Sequence, residues 1–204
     1  MKYNLIHGGL VSLITLSYLG NANTNHQIKQ TNIISSQDAF KLVWLQEGEG
    51  CQNLPNDTAN NGGTTYTCNG ITQEVWGEAI AKNIIPKTVP VNVYSAYNQN
   101  PKEFKTYAEN IYKTLYAPAC ESLPPITKTV CLPQAINWGI KGVQNRLDKL
   151  DKSLPDKQQA EQLINLMWAD YQSICNKNSS QRPFCNGGWK NNTDNQKRFV
   201  YGTL

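Results

Sequence analysis

Phe40-Lys41-Leu42-Val43-Trp44-Leu45-Gln46-Glu47-Gly48-Glu49-Gly50 is the stretch on which the reading of this chain turns. Phe40, Val43, Trp44 and Glu47 stand at positions i, i+3, i+4 and i+7, so a helix through them puts a carboxylate on the same stripe as the large apolar side chains. Gly48 is where such a helix stops. The acid is therefore expected to face inward at a helix C-terminus. Burial against Phe40 and Trp44 disfavours its charged form, and so does the negative end of the helix dipole. Both effects raise its pKa, which leaves a carboxyl able to hold a proton near neutral pH.

Beyond this run the chain changes character. Pro55-Asn56-Asp57, Asn61-Gly62 and Asn69-Gly70 supply the turn chemistry of tight loops and short hairpins, and predict a small β flap over residues 48–72. Helical spacing returns at Val75, Trp76, Ala79, Ile80 and Ile84 and stops before Pro86. Thr88 to Gln99, interrupted by Pro90, reads as extended and irregular. Phe104, Tyr107, Ala108, Ile111, Tyr112 and Leu115 fit a helix, and Pro118, Pro124 and Pro125 mark a loop around Cys120. Two more helices follow, one with Ile136, Ile140, Val143, Leu147 and Leu150 on a stripe, the other with Ala160, Leu163, Met167, Tyr171 and Ile174. From Asn176 a polar tail is expected. The predicted class is α+β, mostly α-helical, with helices around one small β-hairpin flap. At 204 residues and 39% hydrophobic composition, one core of useful size is within reach.

The first 22 residues read as a signal peptide: Lys2, an apolar centre from Leu10 to Leu19, and a small-residue site at Gly20-Asn21-Ala22. That centre is too short for the ~20 residues of a membrane span, so no stable span is expected once the leader is removed. Residues 23–34, rich in Asn, Gln and Thr, read as a flexible arm. The six cysteines, Cys51, Cys68, Cys120, Cys131, Cys175 and Cys185, all follow the leader. An even count in an exported chain predicts disulfides, and local pairing in that order is the simplest of 15 connectivities. The spacings are wider than the paired C-x-x-C of zinc sites, so no metal site is expected. A secreted or periplasmic location follows.

Charge and histidine narrow the chemistry. The net charge of +4 is mild, and no basic run interleaved with aromatics points to nucleic acid. His7 and His26 are the only histidines, and both lie in the leader or the arm. The remainder therefore lacks an imidazole for Ser-His, Cys-His or His-zinc hydrolysis. Chemistry carried by carboxylates survives, and glycoside hydrolysis with Glu47 as general acid is its most direct form. It needs no cofactor.

The order helix, acid, turn-rich flap, second helix resembles the arrangement of lysozyme-like enzymes. The resemblance becomes specific in Trp44-Leu45-Gln46-Glu47-Gly48-Glu49-Gly50, Pro55-Asn56-Asp57, and Gly62-Gly63-Thr64-Thr65 running to Gly70-Ile71-Thr72. This set resembles the N-terminal signature of glycoside hydrolase family 108, the N-acetylmuramidases and phage-type endolysins. Ile111-Tyr112-Lys113, Leu123-Pro124, Ala135-Ile136-Asn137-Trp138-Gly139, Arg182-Pro183-Phe184 and Gly188-Trp189-Lys190 resemble the peptidoglycan-binding C-terminal region of that family, in the same order. The resemblance covers roughly residues 38–200. It implies one lysozyme-like domain over 35–204, with a catalytic part at 35–118 and a peptidoglycan-binding-like helical part at 119–204. It also implies peptidoglycan glycan strands as the partner and cleavage of the β-1,4 MurNAc-GlcNAc bond. Carried over, Glu47 is the catalytic acid, while Asp57 and Thr65 position water or stabilise charge. Glu49, Tyr66, Tyr94 and Asn137 are the candidate substrate-binding residues; for Asn137, on an otherwise apolar helix, a bond to buried backbone is the competing expectation. The chain departs from the family at Glu49, where the second glycine after the acid is expected, and by two extra residues between Gly63 and Gly70. A lytic transglycosylase and a peptidoglycan-binding module without turnover are the alternative readings.

Overall fold

A computed structural model of the chain describes residues 36–54, 65–178 and 185–203. The expected leader and arm, together with Asp57, lie outside the described residues.

Helix α1 (Ser36–Glu47) is followed by a two-stranded antiparallel sheet, β1 (Cys51–Asn53) with β2 (Tyr66–Cys68). Cys51 stands opposite Cys68, Gln52 opposite Thr67 and Asn53 opposite Tyr66. The helices that follow are α2 (Gln73–Ala81), α3 (Val93–Gln99) and α4 (Pro101–Ile111). The last of these runs on through one π turn, Tyr112–Tyr116, and a 3-10 turn, Ala117–Cys120. Helices α5 (Pro125–Leu147), α6 (Asp156–Lys177) and α7 (Gly188–Val200) complete the chain. The fold is α+β and mostly helical, with one small sheet.

The described elements bury two apolar clusters, and α1 belongs to both. Val43 packs with Cys68, Ile71, Trp76, Phe104, Ile111 and Tyr112 on the sheet side. Leu42 packs with Cys131, Val143, Leu147, Leu163 and Ile164 on the side of α5 and α6. Consecutive helical residues point about 100° apart, so this pair turns α1 into the seam between the clusters. Phe40 and Trp44 are half-buried against the sheet-side cluster, with the ammonium groups of Lys113 and Lys105 5.0 and 4.9 Å from their ring centres. Each fully buried side chain of the size of Phe104 contributes about 1.5–3 kcal/mol.

Three disulfides join Cys51 to Cys68, Cys120 to Cys131 and Cys175 to Cys185, the local pattern that the spacing predicts. Three such bonds fit an oxidising compartment. No described helix is long and apolar enough to cross a membrane.

Of the segments that differ from their sequence expectation, two gain an α-helix. Residues 88–92 are irregular, but 93–99 form α3: Asn92 caps it by accepting from Ser95 N at 3.0 Å, and Gln73 Oε1 accepts from Val93 N at 2.9 Å. Pro90 lies outside the helix, where its missing N–H costs nothing. Gln73 Nε2 and Trp76 Nε1 donate to the carbonyls of Val91 and Pro90, which ties the irregular stretch to α2. The expected polar tail also contains a helix, α7. Its buried positions are Thr193, Gln196 and Val200, and Gln196 accepts from buried Gln134 at 2.9 Å. Its inward face is mostly polar, so a reading that follows large apolar residues at helical spacing passes over it.

Candidate active site

Glu47 is the last residue of α1. Gly48 ends the helix with φ +73°, and its N–H donates to the Trp44 carbonyl at 3.1 Å. Such a left-handed exit is open to glycine at little steric cost. The chain then enters β1, and β2 returns it through a two-residue turn at Asn69-Gly70 with φ +47° and +75°. Those angles define a hairpin turn of the type that Asn-Gly favours. Reciprocal bonds between Cys68 and Ile71, at 3.0 and 2.8 Å, close it.

Asn69 is held from three directions. Its N–H donates to the Gly50 carbonyl at 2.7 Å, its Oδ1 accepts from Gly50 N at 2.8 Å, and its carbonyl accepts from the Tyr112 hydroxyl at 2.6 Å. The turn is thereby pressed onto the carboxyl. A Cβ placed on Gly70 would come within 2.5 Å of both Glu47 Oε2 and the Tyr112 hydroxyl.

The opposite wall comes from α5. Gly139, with φ +68° and ψ 169°, breaks the helix. Asn137, exposed and two residues before the break, donates from Nδ2 to Glu47 Oε1 at 3.2 Å. This contact replaces the expected bond to buried backbone. Beneath it, the Arg146 guanidinium lies 4.2 Å from the Trp138 ring centre, and Trp138 packs on Tyr171, which stacks on Trp189 at 4.6 Å. Arg146 Nε donates to Asp170 at 2.7 Å. Gln46 Oε1, Trp138 Nε1, Arg146 Nη2 and the Tyr171 hydroxyl are buried here without a hydrogen bond of ordinary geometry. Tyr171 is nonetheless close enough to Trp138 and Asn192 for each to influence its ionisation.

Burial raises the Glu47 carboxyl from 4.5 to about 7. The residue is half-buried, so its carboxyl is dehydrated while the residue keeps some accessible surface. The hydroxyls around it are driven the same way. Burial first, and then the field of Glu47, push Tyr112 well above its ordinary value. Burial also raises Tyr116, followed by Glu78, Glu47 and Glu74, and it raises Tyr171. These phenols stay neutral where Glu47 titrates.

A dependence of stability on pH follows. The folded chain keeps the Glu47 proton up to about pH 7, whereas the unfolded chain releases it near 4.5. Between these values the folded state binds more protons, so stability falls as pH rises through this window. The loss attributable to this one group is about 3 kcal/mol by pH 8. Urea unfolding at pH 4.5, 6 and 8 checks it: wild type is expected to lose this amount relative to Glu47→Gln, and parallel curves would mean that the carboxyl is solvated.

The remaining candidates separate. Glu49 is exposed and ion-paired with Lys105 at 2.5 Å, a bond that holds its carboxyl below the usual value. Thr65 is exposed, and its hydroxyl donates to Asn53 Oδ1 at 2.6 Å. Tyr66 stacks on Tyr94 at 4.1 Å, and Tyr94 keeps 38% of its surface exposed. Sequence reasoning missed Tyr112, Tyr116, Tyr171 and Arg146 as members of the site. Tyr112 sat in an apolar helical period, which conceals that its hydroxyl reaches the hairpin turn.

Hollows of about 530 and 830 Å³ open elsewhere along α1, one lined by Phe40, Ala117, Leu123 and Leu132, the other by Trp44, Leu45, Glu49 and Lys105. Neither includes Glu47. Its dehydrated carboxyl, rather than the volume of a hollow, therefore selects the site. Among the described residues no group of three or more His, Cys, Asp or Glu side chains could hold a metal ion. No family model, characterised protein or solved structure matches this chain.

Proposed function

We propose that this protein is an exported, lysozyme-like muramidase that cuts the β-1,4 bond between N-acetylmuramic acid and N-acetylglucosamine in peptidoglycan strands. The observation that carries the reading is the Glu47 carboxyl, held between the Asn69-Gly70 turn and the α5 break with its pKa raised by burial to about 7. An acid that keeps its proton at neutral pH is what protonation of a glycosidic oxygen requires. The resemblance to glycoside hydrolase family 108, which runs through these same residues, adds the substrate class.

In this mechanism Glu47 donates its proton to the leaving oxygen as the bond to the sugar breaks. The oxocarbenium-like centre that forms is met by water, which a second polar group orients, and the proton that the water sheds restores the Glu47 acid; Asp57 is the first candidate for the orienting group and Thr65 the next. The exposed face of the Tyr66–Tyr94 stack offers a flat apolar surface of the kind on which a sugar ring packs. Three disulfides accord with a secreted or periplasmic working place.

The test is product chemistry. Purified peptidoglycan is incubated with the protein, and the new sugar ends are identified by mass spectrometry. New reducing muramic acid ends are expected. Anhydro ends would make the protein a lytic transglycosylase, and binding without cleavage a recognition module. Free amino groups from cut peptides would sink the glycan reading altogether.

A further inference from the structure

The Glu47 carboxyl lies where two helix C-termini converge. It is the last residue of α1, and its partner Asn137 belongs to the final turn of the first half of α5, which Gly139 breaks with φ +68°. Helix C-termini carry partial negative charge, so both ends oppose a carboxylate at this point. Among the described residues, Asn137 makes the one side-chain hydrogen bond to the carboxyl, from Nδ2 to Oε1 at 3.2 Å. Oε2 is the oxygen that faces the Gly70 turn, near the Tyr112 hydroxyl. That hydroxyl is already committed as a donor to the Asn69 carbonyl. The two carboxyl oxygens thus have different neighbours, one of them an amide donor.

We propose that Asn137 is a positioning residue for Glu47: by donating to Oε1 it fixes the orientation of the carboxyl beside the Asn69-Gly70 turn. The Gly139 break ends the helical segment that carries Asn137. A continuous helix would demand helical φ and ψ at that position, whereas only glycine readily adopts the observed pair. Loss of the amide removes a donor that favours the ionised over the neutral carboxyl, since hydrogen bonds to charged groups are the stronger ones. The other ionisable groups around Glu47 are Tyr112 and Tyr116 on the π turn and Tyr171 on α6. Arg146 on α5 acts on Tyr171, and Glu74 and Glu78 on α2 act on Tyr116. None of these donates to Oε1 in place of Asn137.

This inference deepens the proposed glycosidase reading, but it can be tested without activity. The full chain carrying 13C-labelled glutamate and 15N-labelled asparagine is titrated by NMR, with Glu47→Gln assigning the Glu47 carboxyl signal. In wild type the Asn137 side-chain amide signals are expected to move with the Glu47 midpoint, near pH 7. In Asn137→Ala that midpoint is expected to rise by about 0.5 to 1 pH unit, and Asn137→Gln to restore part of the shift. If the wild type cleaves glycan, the basic limb of its pH profile moves with the midpoint. An unchanged midpoint in a folded Asn137→Ala protein overturns the positioning role. A midpoint that shifts in a protein with no cleavage of glycan supports Asn137 and refutes the muramidase reading instead.

Discussion

Glu47→Gln is expected to lower glycan cleavage about 10³-fold while leaving the fold intact, the scale that general acid catalysis contributes. Glutamine keeps the shape of the side chain and an oxygen that can still accept from Asn137 Nδ2. It replaces the acidic O–H by an NH2 that cannot act as a general acid. The readout is the rate of appearance of reducing sugar ends, with binding to insoluble peptidoglycan measured alongside. Retained binding with lost turnover assigns Glu47 to chemistry. A variant that cleaves within tenfold of wild type would remove it from the mechanism. The pH dependence has a definite expected sign as well: if Glu47 is the general acid, wild-type turnover is expected to fall as pH rises through about 7, where its carboxyl ionises.

Gly70→Ala carries the second large effect, and it tests the geometry rather than the proton. The left-handed φ of +75° costs an L residue about 1–2 kcal/mol. The new Cβ would also lie 2.5 Å from Glu47 Oε2 and from the Tyr112 hydroxyl, and 2.9 Å from Glu47 Cγ. One of these atoms must move. The Tyr112 hydroxyl is tied to the Asn69 carbonyl and its ring is buried, so the carboxyl yields. We expect a total destabilisation of about 4 kcal/mol, at the upper end of what single substitutions do. Activity is expected to drop about 10²-fold, since a shift of about 1 Å at a reacting group is worth that much. Urea unfolding and the cleavage assay together separate the two effects. A Gly70→Ala protein of wild-type stability and rate would mean that the turn does not press on Glu47.

The sequence carried much of the frame. Helix α1 and its stop at Gly48 were legible because apolar spacing and a glycine coincide within a few residues. The turn after β2 was legible from Asn69-Gly70, whose backbone preference is local, and the pairing of β1 with β2 from two cysteines that now stand opposite one another in the sheet. Short-range chemistry of this kind does not depend on the rest of the fold. The helix in the tail was not legible, because α7 is positioned by a buried Gln134–Gln196 bond between residues 62 apart. Nor was α3: Asn92 caps it locally, but its Val93 N–H is satisfied by Gln73 of α2.

The candidate site divides along the same line. From its own sequence this chain determined that an acid ends an apolar helix, that a glycine turn follows, and that imidazole is missing beyond residue 26. These follow from residue type and spacing alone. Only the tertiary structure decided what surrounds the acid. Leu42 and Val43 point into different clusters, which makes α1 a seam, and the seam delivers Glu47 to Gly70, Tyr112 and Asn137. The contacts around the carboxyl reach up to 90 positions along the chain, and contact at that range is a property of packing.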